Sequence, residues 1–304
     1  MDYKKLIKSR SARIKIMQLL SFIPDAWMLR IQYRIKTGRK LNLRSPQRFS
    51  EKLQWYKLHY RDPAMPRCVD KYGVRQYIAQ AGLGNTLTTC YGVYDAVEDV
   101  DFDALPDAFV LKDTLGSGGN SVIIVEEKDK ADLDAIRAQL QSWLNSSTRL
   151  KNPGREWVYD SQKHRIIAEE YLRDSEGLTD YKFFCFGGKI ACVYVIANRA
   201  LGDHGELAIM DADFVRLPYQ SSTQHVMKED PVIPVNYSNM KHMAEMLSSP
   251  FPHVRVDMYS IGSRIVFGEL TFFGASGYMS YEPDSFDYIL GEQFDLPGMK
   301  KNIE

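Results

Sequence analysis

Gly187 and Gly188 separate two apolar runs, 181–186 (YKFFCF) and 189–198, and no other stretch restricts the fold of this chain so much. Adjacent glycines take the positive φ values of a primed two-residue turn at no steric cost, so the runs are expected to pair as an antiparallel hairpin. The pattern repeats in the second half of the chain. Runs at 207–210 and 214–217 flank Asp211-Ala212-Asp213, and runs at 254–259 and 264–272 flank Ile261-Gly262-Ser263. Strands are also expected at 86–94, 109–112, 121–125 and 165–172. Helical spacing marks 50–60 (opening at Ser50 as cap), 70–81 (closed by Gly82), 131–145 and 239–248. Helices and antiparallel strands in this order, with no long linker or repeat, predict an α+β fold.

Charge excludes some functions and localises others. The 304 residues hold 39 Lys and Arg against 39 Asp and Glu, so a globally basic nucleic-acid binder is disfavoured and no nucleic-acid partner is expected. Residues 1–52, however, hold fourteen basic residues against three acids, Asp2, Asp25 and Glu51, which puts about +11 on the head and about −11 on the rest. Apolar residues at helical spacing run through 11–36, interrupted at Pro24. Such a basic amphipathic segment suits either an anionic surface or a simple packed appendage with a solvated face. The longest apolar run, 190–197, is too short to span a bilayer, and no secretory signal follows Lys4, Lys5 and Lys8. A cytoplasmic protein is expected, with peripheral contact to the inner membrane face through the head as one option. Four scattered cysteines without a CxxC pair read as reduced buried thiols.

The chemistry-bearing residues lie after position 70. Lys112 ends a strand, and Gly116-Ser117-Gly118-Gly119-Asn120 follows before the next strand. No GK[ST] and no helix come after the glycines, so this is neither a P-loop nor a dinucleotide fingerprint. It is a plain hairpin turn or a flap whose N–H groups approach phosphates. Arg255 and Asp257 share one strand face, and Glu269 and Thr271 share the facing one. Asp257 and Glu269 can then face each other, as a surface charge pair with Arg255 or as a Mg²⁺ site completed by phosphates. Glu169 and Glu170 end a strand ahead of Leu172. Lys182 begins the next, and Arg199 ends its partner.

Taken in order, the motifs SEKLQWYKL, VDKYGVRQY, FVLK with GSGGN, GREW, RIIAEEYL, DYKFFCFGGK, RVDMY and FGELTFFGASG resemble the ATP-grasp superfamily, and most closely its TupA-like branch, named for teichuronopeptide biosynthesis. The resemblance implies two α+β subdomains clasping ATP with Mg²⁺, a carboxylate phosphorylated to an acyl phosphate, and an amine attacking it. It implies a basic helical segment at 1–49, a small α/β subdomain at 50–108, a flap-bearing subdomain at 109–172 and a metal-bearing subdomain at 173–304. Lys71 and Lys112 would contact phosphates and residues 116–120 would form the flap. Glu169, Glu170 and Leu172 would form the adenine hinge, the last two through backbone groups, and Glu176 would meet the ribose. Lys182, Arg199 and Arg255 would be the catalytic cations, and Asp257, Glu269 and Thr271 the metal ligands. Thr271 stands where the superfamily commonly has Asn.

The family context implies a carboxylate–amine ligase of bacterial surface-polysaccharide assembly. It would join a uronic acid, in a glycan or a lipid-linked sugar, to an amino acid or small amine. Two alternatives stay open: a metal-dependent glycosyltransferase using the Asp211-x-Asp213 pattern, and a non-catalytic glycan-binding protein. Oligomeric state is not legible.

Overall fold

The computed structural model describes residues 19–116, 121–146, 152–174, 177–198 and 205–299. It has the expected mixed α+β architecture, with two sheets facing each other across a cleft. Strands β1 (Cys90–Tyr94), β2 (Phe109–Asp113), β3 (Val122–Val125) and β4 (Ile166–Glu170) form the smaller sheet in the order β1-β4-β2-β3, every pair antiparallel. Alternation along β2 and β4 sends Phe109, Leu111, Ile166 and Ala168 into a core under a helix at Leu133–Leu144, which contributes Ile136, Leu140 and Trp143. Val110, Lys112 and Glu169 are thereby left for the opposite face, toward the cleft. This layer takes β1 and the apolar residues of 97–105 as well as β2–β4, so it draws on both sides of position 108.

The larger sheet contains β5 (Asp180–Phe186), β6 (Lys189–Ala197), β7 (Glu206–Met210), β9 (His225–Val226), β10 (Val254–Ile261) and β11 (Arg264–Thr271), in the order β11-β10-β5-β6-β7-β9. Only β7 and β9 pair in parallel. The expected hairpin joins β5 to β6, with Gly187 at φ 53° and Gly188 at φ 83°. Gly262, at φ 56°, begins the two-residue turn between β10 and β11. A short ribbon pairs β8 (Gln220–Ser221) with β12 (Tyr281–Glu282). The expected strand at 214–217 does not form. Asp211 accepts from the N–H groups of Asp213 (2.9 Å) and Val215 (2.8 Å), and one isolated bridge at Arg216 is all that remains of the pairing.

Among the described residues the helices are, in chain order, α1 (Asp25–Thr37), α2 (Phe49–His59), α3 (Ala64–Val69), α4 (Gly73–Gln80), α5 (the Leu133–Leu144 helix), α6 (Tyr237–Ser248) and α7 (Ser285–Gln293). Residues of α2, α3, α4, α6 and α7 share one core with the larger sheet. Helix α2 is not capped by Ser50 as expected. It begins at Phe49, and Glu51 accepts from the N–H groups of Gln47 (3.0 Å) and Arg48 (3.3 Å). Ser50 gives its N–H (2.9 Å) and hydroxyl (2.6 Å) to the buried Asp287 of α7. Helix α3 was not expected, and it starts where Asp62 accepts from the N–H of Ala64 (2.8 Å). Cys68, Cys185 and Cys192 are buried thiols, but Cys90 is only half-buried. Among the described residues, no helix is long and apolar enough to cross a membrane.

Candidate active site

The two sheets bound a cleft of about 340 Å³. Nine of the residues singled out from sequence line it: Lys71, Lys112, Gly116, Glu169, Glu170, Leu172, Lys182, Asp257 and Glu269. Arg255 and Thr271 stand just behind Glu269 and touch its carboxylate. Ser117, Gly118, Gly119, Asn120, Glu176 and Arg199 lie outside the described residues.

On the smaller-sheet wall, Val110 pairs with Glu169, so Lys112, two residues on, shares its face. The Lys112 Nζ lies 2.8 Å from one Glu169 oxygen. The other oxygen accepts from the Thr88 hydroxyl (2.8 Å) and from Arg75 (3.0 Å). Burial opposes ionisation of Glu169, yet Lys112, Thr88 and Arg75 together hold its carboxyl below the ordinary glutamate value. Glu170 also borders the cleft, but its polar groups are engaged elsewhere. Its carboxylate binds Arg264 bidentately (2.6 and 2.9 Å), which brings it down to about 2, and its N–H is already donated to the Thr89 carbonyl (2.9 Å). An adenine edge therefore cannot use that N–H.

Lys71 reaches the same cleft from the turn before α4, where Asp70 accepts from the N–H groups of Tyr72 (3.1 Å) and Gly73 (2.6 Å). Its Nζ donates to the Gly116 carbonyl at the root of the glycine loop. Desolvation pulls Lys71 below its ordinary value, with Glu269 acting in the opposite direction.

The larger-sheet wall is an ion cluster. Register places Lys182 on β5 opposite Asp257 on β10, and Asp257 opposite Glu269 on β11. The Lys182 Nζ lies 2.5 Å from Asp257 and 2.6 Å from Asp180. Arg255 donates to both Asp257 oxygens at 2.6 Å, and reaches Glu269 and the Thr271 hydroxyl at 3.1 Å. Burial works against the charge on Asp257, but Arg255 and Lys182 overcome it and keep the carboxylate ionised. Burial alone would also discharge Lys182, and Asp180 and Asp257 hold its proton in place.

This donor set suits Mg²⁺. Asp257, Glu269 and Thr271 offer hard oxygens from adjacent strands, and three acids (Asp180, Asp257, Glu269) face two cations (Lys182, Arg255). No group of three or more His, Cys, Asp or Glu side chains poised for a metal occurs among the described residues. Two carboxylates completed by phosphate oxygens are the arrangement Mg²⁺ commonly takes.

Sequence reading passed over Arg75 and Thr88, both bound to Glu169. Arg75 had a signal, since it falls four residues after Lys71, close to one helical turn. Thr88 had none, because its partner lies 81 residues away. The Asp211-x-Asp213 pattern is not part of the cleft. It forms the turn described above, with Asp213 held by Lys241 at 3.0 Å.

Among curated proteins, none matches the chain. Solved structures do. D-alanine–D-alanine ligase from Bacillus anthracis is 17% identical, with a TM-score of 0.43, over 67% of this chain and 57% of that one. The Helicobacter pylori D-alanine–D-alanine ligase is 13% identical, with a TM-score of 0.47, over 81% and 69%. The Staphylococcus aureus N5-carboxyaminoimidazole synthetase complexed with ADP is 11% identical, with a TM-score of 0.44, over 73% and 50%. The chain thus spans less than two-thirds of the Bacillus anthracis enzyme's length. The TupA-like ATPgrasp family matches residues 51–295, most of the sequence and every strand of the cleft, and the chain belongs to that family.

Proposed function

We propose that the chain is an ATP-dependent carboxylate–amine ligase. The observation that carries this reading is the clustering of Lys71, Lys112 and Lys182 in one cleft with Glu169, Asp257 and Glu269. Phosphoryl transfer is served by positioning and charge neutralisation and needs no protein nucleophile. In the proposed reaction a substrate carboxylate oxygen attacks the γ-phosphorus and ADP leaves. An amine nitrogen then attacks the acyl carbon, phosphate departs, and the amine loses a proton. Lys71 and Lys112 neutralise phosphate oxygens, with Gly116 to Asn120 closing above them. Glu169, Glu170 and Leu172 border the base, and Glu176 meets the ribose. Lys182, Arg199 and Arg255 face the transferring group. Asp257 and Glu269, with Thr271 in support, would hold Mg²⁺, which when bound spreads the developing charge on the phosphates. In this reading the protein acts in the cytoplasm.

The carboxylate substrate is proposed to be a uronic acid of a surface polysaccharide or its lipid-linked precursor, and the amine an amino acid or other small amine. Family context and the basic head, which suits an anionic acceptor, support this choice. Thermal unfolding tests the nucleotide: ATP with Mg²⁺ should stabilise the chain by about 2.7 kcal/mol at a hundredfold excess over Kd, and a UDP-sugar should not. Mass spectrometry of a mixture of ATP, uronates and amino acids should reveal an amide and equimolar ADP. No shift at millimolar ATP would sink the proposal.

A further inference from the structure

Helix α1 is amphipathic in an unusual sense, because the face it turns to water is also apolar. Met28, Leu29, Gln32 and Tyr33 are buried against the body of the protein. On the outer arc, Trp27, Ile31 and Ile35 recur every fourth residue and are 63%, 45% and 48% exposed. Leu19 and Phe22, just ahead of the helix, are exposed to 76% and 80%. Arg30 and Arg34 edge the same arc, both exposed, with the Arg30 guanidinium 5.7 Å from the Trp27 ring. The only acid of α1, Asp25, pairs with Arg155 at 3.5 Å. Lys40 and Arg44 are further exposed cations just after the helix, whereas Lys36 lies over the Tyr278 ring at 4.6 Å.

We infer that this face of α1 docks on the surface of an anionic lipid bilayer. A large apolar stripe edged by arginines, with a Trp at one end, fits the boundary between headgroups and acyl chains, where the stripe leaves water and the cations meet lipid phosphates. A soluble polyanion would engage the arginines but leave Trp27, Ile31 and Ile35 in water. A protein partner would bury the same stripe and use the same arginines, and binding to vesicles separates it from a bilayer. A second exposed apolar run, Val232, Ile233 and Val235, follows Glu229 and Asp230 and lacks that charge complementarity.

The docking helix is tied to one end of the cleft. Gln32 donates to the Pro153 carbonyl (2.7 Å), and Arg155 donates to the Leu20 carbonyl (3.0 Å). The same loop continues to Glu156, which accepts from the Ser276 hydroxyl just past the end of β11. An acceptor anchored in the bilayer would therefore approach the cleft from its β10–β11 end. That corollary rests on the ligase reading, whereas the docking itself does not.

The test is co-sedimentation of the full chain with phosphatidylcholine vesicles, with and without phosphatidylglycerol. Binding should require phosphatidylglycerol and weaken as salt rises. The double variant Arg30→Gln/Arg34→Gln should bind roughly thirtyfold more weakly. Ile31→Ser/Ile35→Ser should lose at least about tenfold, and Val235→Ser should bind as the unaltered chain does. Arg39 is left in place because it pairs with Asp284 at 2.6 Å. Equal binding to both vesicle types, or unchanged binding in either double variant, would overturn the proposal. So would binding of polyglucuronate that falls in Arg30→Gln/Arg34→Gln with no binding to vesicles, or a dimer that dissociates in Ile31→Ser/Ile35→Ser without any vesicle binding. Each variant is checked for an unaltered melting temperature. A chain that binds vesicles but ignores ATP would sink the ligase reading and leave the docking surface standing.

Discussion

Asp257 and Glu269 are cross-strand partners with unequal surroundings, and substitution should separate their roles. Asp257 is buried and answers two cations at once, Arg255 and Lys182. Neutralising it leaves two buried positive groups short of a partner, a change that costs about 3–5 kcal/mol when one side of a buried pair is lost outright. The Glu269 side chain is 47% exposed and touches only the rim of that cluster. Glu269→Gln should therefore shift unfolding by less than about 1 kcal/mol while slowing ADP formation by about a hundredfold. Asp257→Asn should lose both activity and stability. Urea midpoints and ADP release in the two variants decide the matter, and near-normal turnover in Glu269→Gln would remove that residue from the proposed metal site. The pairing itself was legible in the sequence, because two-residue spacing fixes which side chains share a strand face. The burial of Asp257 was not, since it depends on how β10 is sandwiched between β5 and β11.

Helices α2 and α7 meet through a glycine and an aspartate one turn apart. A Cβ on Gly291 would lie 2.0 Å from the Gln47 carbonyl oxygen and 2.9 Å from the Phe49 nitrogen, backbone atoms that cannot swing aside. Four residues earlier, Asp287 accepts the Ser50 N–H at the start of α2. Alanine is ordinarily the better helix former, by about 1 kcal/mol, but Gly291→Ala should destabilise the chain by more than about 3 kcal/mol by forcing the helices apart. Gly187→Ala, where a Cβ meets open space and only the positive φ is strained, should cost about 1 kcal/mol. A Gly291→Ala chain no less stable than Gly187→Ala would show that the contact yields easily. The contrast marks what can be read from a sequence at this scale. Alternation about Gly187-Gly188 and Gly262 announces the hairpins because strand and turn signals are local. One N–H of the first turn of α2, that of Ser50, goes to a side chain 237 residues away, and nothing near Ser50 announces it. The run at 214–217 is apolar enough for a strand, yet the Asp211 side chain takes the N–H groups that would have begun one.

Across the whole molecule, the two sheets are joined by an ion pair from the last residue of β4 to the first of β11. Arg264 grips both Glu170 oxygens, and this brings the carboxyl from the ordinary glutamate range to about 2. The folded value lies below the unfolded one, so the contribution is complete above about pH 4.5 and fades as pH falls toward 2. Arg264→Gln should flatten that part of the acid limb when urea midpoints are followed against pH. The Arg264 side chain is 41% exposed, so at neutral pH the loss of stability should stay within about 1 kcal/mol. The larger effect should fall on the cleft. If the pair biases the sheets toward the spacing that clasps a nucleotide, apparent ATP affinity falls with the fraction of molecules held there, by up to about fivefold for 1 kcal/mol of bias. Arg264 does not line the cleft, so such a loss would come through geometry rather than a missing contact. Hydrogen exchange should then quicken along β4 in the nucleotide-bound chain. Unchanged ATP affinity together with unchanged exchange would reduce the Glu170–Arg264 pair to a surface contact with no part in holding the sheets.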